Sequence, residues 1–176
     1  MFSSIGAVEQ IAYVVDDLDK AIAHWNSLGV GPFFVIRRIQ YVEQSYRGEP
    51  TNCEVSAAFS YFGDLQIELL EQLNNEPSSF KEYKEKKGCG MQHIGVISKD
   101  ILGDTLQLER QGYIQVQRMV STTGVVTVLF DSDRVGGSVI ELIEETPSLL
   151  EGFAQLKLAA KNWDVSMPGV IEVPAH

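Results

Sequence analysis

No stretch of this chain approaches the roughly 20 consecutive apolar residues that a helix needs to cross a bilayer. Its first thirty residues hold no basic segment followed by an apolar run and a small-residue cleavage site. These absences predict a cytoplasmic protein with no membrane role. Cations are scarce, 14 Lys and Arg against 24 Asp and Glu. The net charge of −10, with no basic cluster to interrupt it, would repel a phosphate backbone and excludes nucleic acid as a partner. Cysteine is scarce too, with only Cys53 and Cys89 present. A chain of 176 residues fills a core without a disulfide, so both are expected as reduced thiols. The same length is too short for two ordinary independent domains, and residues 1–176 are read as one domain.

What the chain does contain is a repeat of itself. Gln10-Ile-Ala-Tyr-Val-Val-Asp-Asp-Leu18 lies over His93-Ile-Gly-Val-Ile-Ser-Lys-Asp-Ile101 at an offset of 83, which also carries Gly29 onto Gly112. Ile67-Glu-Leu-Leu-Glu71 lies over Ile140-Glu-Leu-Ile-Glu144 at an offset of 73, so the first copy carries extra loop residues. Within the first copy, Val8 to Val15 alternates like a half-buried strand. A helix capped by Asp16 or Asp17 follows, with Leu18, Ala21, Ile22, Trp25 and Leu28 on one face and Gly29 as its stop. Asp16, Asp17 and Asp19 read together as a capping cluster. A strand is predicted near Pro32 to Gln40, then a polar loop from Ser45 to Asn52. A hairpin of Cys53 to Phe62 and Leu65 to Gln72 turns at Gly63-Asp64. The expected fold is α+β: two tandem βαβββ modules, about 8–72 and 90–145, forming a curved mixed β-sheet cup. Residues 73–89 join them as a surface helix, and a C-terminal helix spans about 147–163. The stripe Leu149, Phe153, Leu156, Ala160, Trp163 on that last helix calls for packing on the domain or on a second copy in a homodimer.

Side-chain alternation sends Ile11, Tyr13 and Val15 to the helix-facing side and leaves Gln10, Ala12 and Val14 opposite. The same rule turns His93, Glu68 and Glu141 away from their apolar neighbours, onto one concave face. Small Ala12 and Gly95 beside them are expected to leave room for a ligand. Two facing carboxylates inside apolar runs are costly to bury and repel each other. One divalent cation held by Gln10, Glu68, His93 and Glu141 removes both costs. The mixed oxygen and nitrogen set suits zinc first, then nickel, cobalt, manganese or iron. Across the hairpin, Tyr61 falls opposite Gln66 and Phe59 opposite Glu68, so both rings are candidate pocket walls. His24 and His176 are read as bystanders, and Cys89 has no second cysteine to share a metal. Glu71 and Glu144 are placed at strand ends or at the rim, in solvent.

The ordered set Gln10-Ile-Ala-Tyr-Val-Val-Asp-Asp-Leu-Asp-Lys-Ala21, Ile-Glu-Leu-Leu, Gln92-His-Ile-Gly and Val-Ile-Glu-Leu-Ile resembles the vicinal-oxygen-chelate superfamily. That superfamily includes glyoxalase I, methylmalonyl-CoA epimerase, extradiol dioxygenases and bleomycin-resistance proteins. The resemblance covers about residues 8 to 145 and implies a metal inside a sheet cup. The ligand order of zinc-using glyoxalase I maps onto Gln10, Glu68, His93 and Glu141, with Glu141 the first base and Glu68 the second. Length and linker resemble the epimerase more, although that enzyme has a His at the position of Gln10 and an acidic residue where this chain has Asn52. The activity implied is a metal-dependent lyase, isomerase or epimerase acting next to a carbonyl of a small-molecule substrate. The alternatives are a metal-free drug-sequestering protein and an extradiol-type dioxygenase.

Overall fold

The structure, a computed structural model, describes residues 5–132 and 139–174. Its elements in chain order are β1 (Val8–Val14), α1 (Leu18–Ser27), β2 (Phe33–Ile36), β3 (Tyr41–Tyr46), β4 (Glu49–Pro50), β5 (Val55–Phe62), β6 (Leu65–Gln72), α2 (Ser79–Lys87), β7 (Gly90–Ser98), α3 (Ile101–Arg110), β8 (Ile114–Ser121), β9 (Val126–Asp131), β10 (Val139–Glu144), α4 (Pro147–Asn162) and β11 (Val170–Val173). All the strands form one mixed sheet in the order β11-β2-β5-β6-β1-β7-β10-β9-β8-β3-β4. Each repeat contributes the same local order, β2-β5-β6-β1 in the first and β8-β9-β10-β7 in the second. In both, the first strand lies parallel to the last, β1 on β6 and β7 on β10, and the halves join through antiparallel β1 and β7. No described helix is long and apolar enough to cross a membrane.

The curvature follows from connectivity. β2 and β3 stand eight strand steps apart in the sheet, about 38 Å if it were flat. The chain passes from Ile36 to Tyr41 in five Cα steps, which reach at most about 19 Å. The sheet must therefore curl, and its concave face becomes a cup.

Apolar packing divides accordingly. Leu18 and Ile22 of α1 bury against Phe33, Val35, Ala58, Ile67 and Leu69 on one convex face. Leu108 of α3 does the same against Val96, Val128, Phe130 and Leu142. The cup interior gathers Ala12, Val14, Val55, Ala57, Leu70, Val116, Met119 and Leu129 from both halves. The helices begin as their sequences direct: the side chains of Asp17, Asp100 and Thr146 accept from Lys20, Gly103 and Leu149 N–H groups.

Several expectations are corrected. The strand placed at Pro32 to Gln40 stops at Ile36, and Arg38 takes a φ of 53°. The segment given to a polar loop holds the end of β3 and all of β4, and β3 pairs antiparallel with β8 of the other repeat. Its Val42 and Glu43 are exposed, so the strand lacks the apolar row that announces one. Arg47 and Gly48, with φ of 49° and 84°, form the turn between β3 and β4, a combination that suits the twist of a two-residue hairpin. Of the three acids read as caps, only Asp17 caps; Asp16 pairs with Lys84 at 2.5 Å and Asp19 with Arg37 at 2.6 Å. Leu28, assigned to the packed face of α1, is exposed. Glu71 and Glu144 are half-buried, and each accepts a backbone N–H at 3.1 Å, from Leu18 and Val126. The linker helix α2 does more than join the copies: its Ser79 and Phe80 are buried, and Phe80 belongs to the cup interior. The apolar stripe of α4 is half-buried from Leu149 to Trp163. Beyond it β11 adds to the edge of β2, a strand too short and flanked too irregularly to read from sequence.

Candidate metal centre

The central strands β6, β1, β7 and β10 carry the four proposed ligands. Backbone register sets Ala12 between Glu68 and His93, Gln10 beside Gly95, and Gly95 beside Glu141. Gln10, Glu68, His93 and Glu141 are all buried, His93 completely. His93 Nε2 lies 3.4 Å from Glu68 Oε2 and 3.3 Å from Glu141 Oε2, yet it makes no hydrogen bond. The amide of Gln10 donates from Nε2 to Gln66 Oε1 at 2.7 Å. That leaves its Oε1 facing Glu141 Oε2 at 3.1 Å and Glu68 Oε2 at 3.3 Å.

With the Gln10 amide in this orientation, three oxygens and the His93 Nε2 thus converge without a hydrogen bond among them. Lone pairs so arranged repel unless a cation or protons lie among them. Edges of about 3.0–3.4 Å are those of a coordination polyhedron with bonds of about 2.1 Å. Glu68, His93 and Glu141 form the described cluster of His, Cys and acidic side chains able to hold an ion, with ligand atoms within 4.8 Å of one another. The residues present fit a divalent cation.

Without one, protons must balance the charge. Burial by itself would lower the pKa of His93, but the carboxylates of Glu141 and Glu68 outweigh it and raise it to about 10. Burial raises the pKa of Glu68, against the pull of His93. Tyr41 of β3 also has its hydroxyl pKa raised, by burial and then by the charges of Glu68 and Glu141.

The pocket residues fall as the hairpin register requires, Phe59 opposite Glu68 and Tyr61 opposite Gln66. Phe59 packs half-buried against the cup interior, and Tyr61 is buried. Phe80 covers the site from α2, its ring 6.5 Å from that of His93. The room expected beside Gly95 is not there: a Cβ at Gly95 would come within 2.6 Å of Gln10 Oε1. The glycine makes space for the Gln10 side chain itself. Asn52, Glu49 and Glu54 are exposed, and Glu54 is ion-paired with Arg38, so none of them enters the cup. His24 is exposed and Cys89 is an exposed free thiol; His176 lies outside the described residues.

Sequence reasoning missed three residues. Tyr41 was hidden by the misplaced strand. Gln66 shares the parity of Glu68 but carried no charge to mark it. Gln92 should, by strict alternation, face the helices with Ile94. A bulge where Ala12 pairs with His93 and Tyr13 with Met91 turns it inward instead, and its Oε1 meets His93 Nδ1.

The profile of the glyoxalase/bleomycin resistance protein/dioxygenase superfamily matches residues 9–130. The chain belongs to that superfamily. Several solved structures share the fold at low identity. Methylmalonyl-CoA epimerase from Mycobacterium tuberculosis is 21% identical with a TM-score of 0.57, over 86% of this chain and 96% of that one. A hypothetical protein from Bacillus halodurans is 19% identical with a TM-score of 0.56, over 80% and 94%. A variant of the Streptomyces coelicolor epimerase in complex with 2-nitronate-propionyl-CoA is 14% identical with a TM-score of 0.53, over 82% and 97%. No curated protein is matched by sequence.

Proposed function

We propose that this superfamily member is a divalent-cation-dependent enzyme that moves a proton next to a carbonyl of a small organic substrate, as a glyoxalase-like lyase or an epimerase does. The observation that carries the reading is the convergence of four buried polar side chains, with Gln10 and His93 each 3.1 to 3.4 Å from the carboxylate oxygens of both Glu68 and Glu141. A cation bound there, zinc by the chemistry of the donors, supplies a Lewis acid for the substrate carbonyl. Gln10 and His93 hold, and the two carboxylates do the proton work. Glu141 is the first base and Glu68 the second, one from each half of the sheet. Burial favours the protonated form of Glu68, which suits a group that accepts a proton and returns it. With Asn52, Glu49 and Glu54 all exposed, no acid from that segment reaches the cup, so both proton-transfer roles fall to the metal-side carboxylates. Phe59 and Tyr61 wall the pocket.

A second reading has one observation in its favour. If the amide of Gln10 turns over, its NH2 donates to Glu141 at 3.1 Å and Glu68 at 3.3 Å, as a metal-free small-molecule binding protein would require. Elemental analysis of protein purified without chelator separates the two: about one ion per chain supports the enzyme, and none supports the binder. Activity is then read in deuterated water on methylmalonyl-CoA and on the hemithioacetal of glutathione and methylglyoxal. Deuterium should enter the carbon beside the carbonyl and stop entering in Glu141→Gln. An unchanged rate in that variant refutes the assignment of the base.

A further inference from the structure

Two buried glutamines beside the site do no work that the packing requires. Gln92 is 4% exposed and Gln66 is wholly buried. The Nε2 of Gln92 has no hydrogen-bond partner among the described residues, a cost that an apolar side chain would avoid. What Gln92 does must then lie in its Oε1, which meets His93 Nδ1. An amide oxygen only accepts, so Nδ1 carries the hydrogen and the neutral ring keeps its lone pair on Nε2, the atom that faces Glu68 and Glu141.

Gln66 acts on the other half in the same way. Its Nε2 donates to Tyr61 Oη at 3.3 Å, and its Oε1 accepts from Gln10 Nε2 at 2.7 Å. With its NH2 so engaged by Gln66, Gln10 presents its oxygen to the carboxylates; in the reverse orientation its NH2 would face them instead. Each repeat thus supplies one glutamine that orients one ligand, Gln66 from β6 for Gln10 and Gln92 from the β7 bulge for His93.

We propose that Gln92 and Gln66 are the positioning residues of the cation site, the first holding His93 with Nε2 open and the second holding Gln10 with its oxygen inward. The inference rests on the function proposed above. Groups that orient metal ligands in this way typically account for about 10–100-fold in metal affinity. The bulge in β7 belongs to the same device, since strict alternation would turn Gln92 to the helix side and take its Oε1 away from His93 Nδ1.

The test measures zinc affinity by competition with a chromophoric chelator for the full chain and for Gln92→Leu, Gln92→Glu, Gln66→Leu and Gln66→Glu, each checked for a cooperative melt. The leucine variants lose their acceptor and should bind zinc tenfold or more weakly. The glutamates keep an acceptor oxygen in place and should stay within a few-fold of wild type. A leucine variant that binds within twofold of wild type overturns the role of that glutamine. A second readout needs no metal. In chelator-treated protein labelled with 15N-histidine, one slowly exchanging Nδ1–H signal should persist in wild type and Gln92→Glu and vanish in Gln92→Leu. Its survival in Gln92→Leu overturns the hold of Gln92 on His93. A wild-type chain that takes up no zinc overturns the function, while this signal still decides for or against Gln92.

Discussion

A buried imidazole flanked by two carboxylates keeps its proton longer than a free one, and that makes the metal-free protein sensitive to base. The folded pKa of His93 is raised to about 10, from 6.5 for the free group. The stabilisation is therefore present in full below pH 6.5 and drains as pH climbs towards 10. Chelator-treated protein should melt at lower temperature at pH 8.5 than at pH 6.5, by roughly 2–4 °C for each kcal/mol lost. Cys53, pushed up to about 11 by burial, adds to this loss mainly above pH 9, where its unfolded thiol is more than half ionised. His93→Gln should flatten the dependence, and a melting profile that is already flat in wild type would refute the coupling. Gly95 makes a second prediction at this scale. A methyl group there would meet Gln10 Oε1 at 2.6 Å and Gln10 Cβ at 2.9 Å. Gly95→Ala should therefore displace the amide and weaken zinc binding about tenfold or more, as measured by chelator competition; unchanged affinity would show that Gln10 is not a ligand. The orientation of Gln10, Glu68 and Glu141 was legible because period-two alternation holds along β1, β6 and β10. Gln92 was not, because one extra residue in β7 shifts the parity and leaves no trace in composition.

Elements were legible where an apolar pattern made them necessary. The offset repeats revealed β1 with α1 and β7 with α3, and the β5–β6 hairpin forms at the expected turn with the expected register. β3 escaped because its partner, β8, lies in the other repeat and its composition is polar. The linker helix was legible as a helix, but nothing in Ser79-Phe-Lys-Glu-Tyr83 says that its first turn enters the cup. Clamps hold it there. Arg47 at the β3–β4 turn donates twice to the Glu82 carboxylate, at 3.0 and 2.9 Å, and Ser79 donates from its backbone N–H and its hydroxyl to Gln117 Oε1. Phe80→Ala should cost about 3–5 kcal/mol and open the roof over His93. Bound zinc would then exchange with chelator faster than in wild type, as followed by stopped flow. Equal exchange rates with a lowered melting point would make Phe80 a core residue and nothing more.

At the scale of the molecule, the four proposed ligand side chains divide two and two between the halves of one sheet, Gln10 and Glu68 from the first repeat and His93 and Glu141 from the second. Connectivity curls that sheet, and the β1–β7 seam brings inward-facing side chains of both repeats onto adjacent strands at its centre. Duplication alone explains why the site is shared: neither repeat holds more than two of its ligands. Binding a cation there therefore ties the halves together, and its free energy adds to the stability of the whole fold. At a hundred times the dissociation constant this adds about 2.7 kcal/mol. For a chain of this length that corresponds to a rise in melting temperature of about 5–10 °C. Zinc added to chelator-treated protein should produce one cooperative transition moved upward, with the shift lost in Glu68→Ala and in Glu141→Ala alike. Loss in only one of them would place the ion in a single half. No shift with zinc, nickel, cobalt or manganese would mean that the carboxylates are neutralised by protons alone.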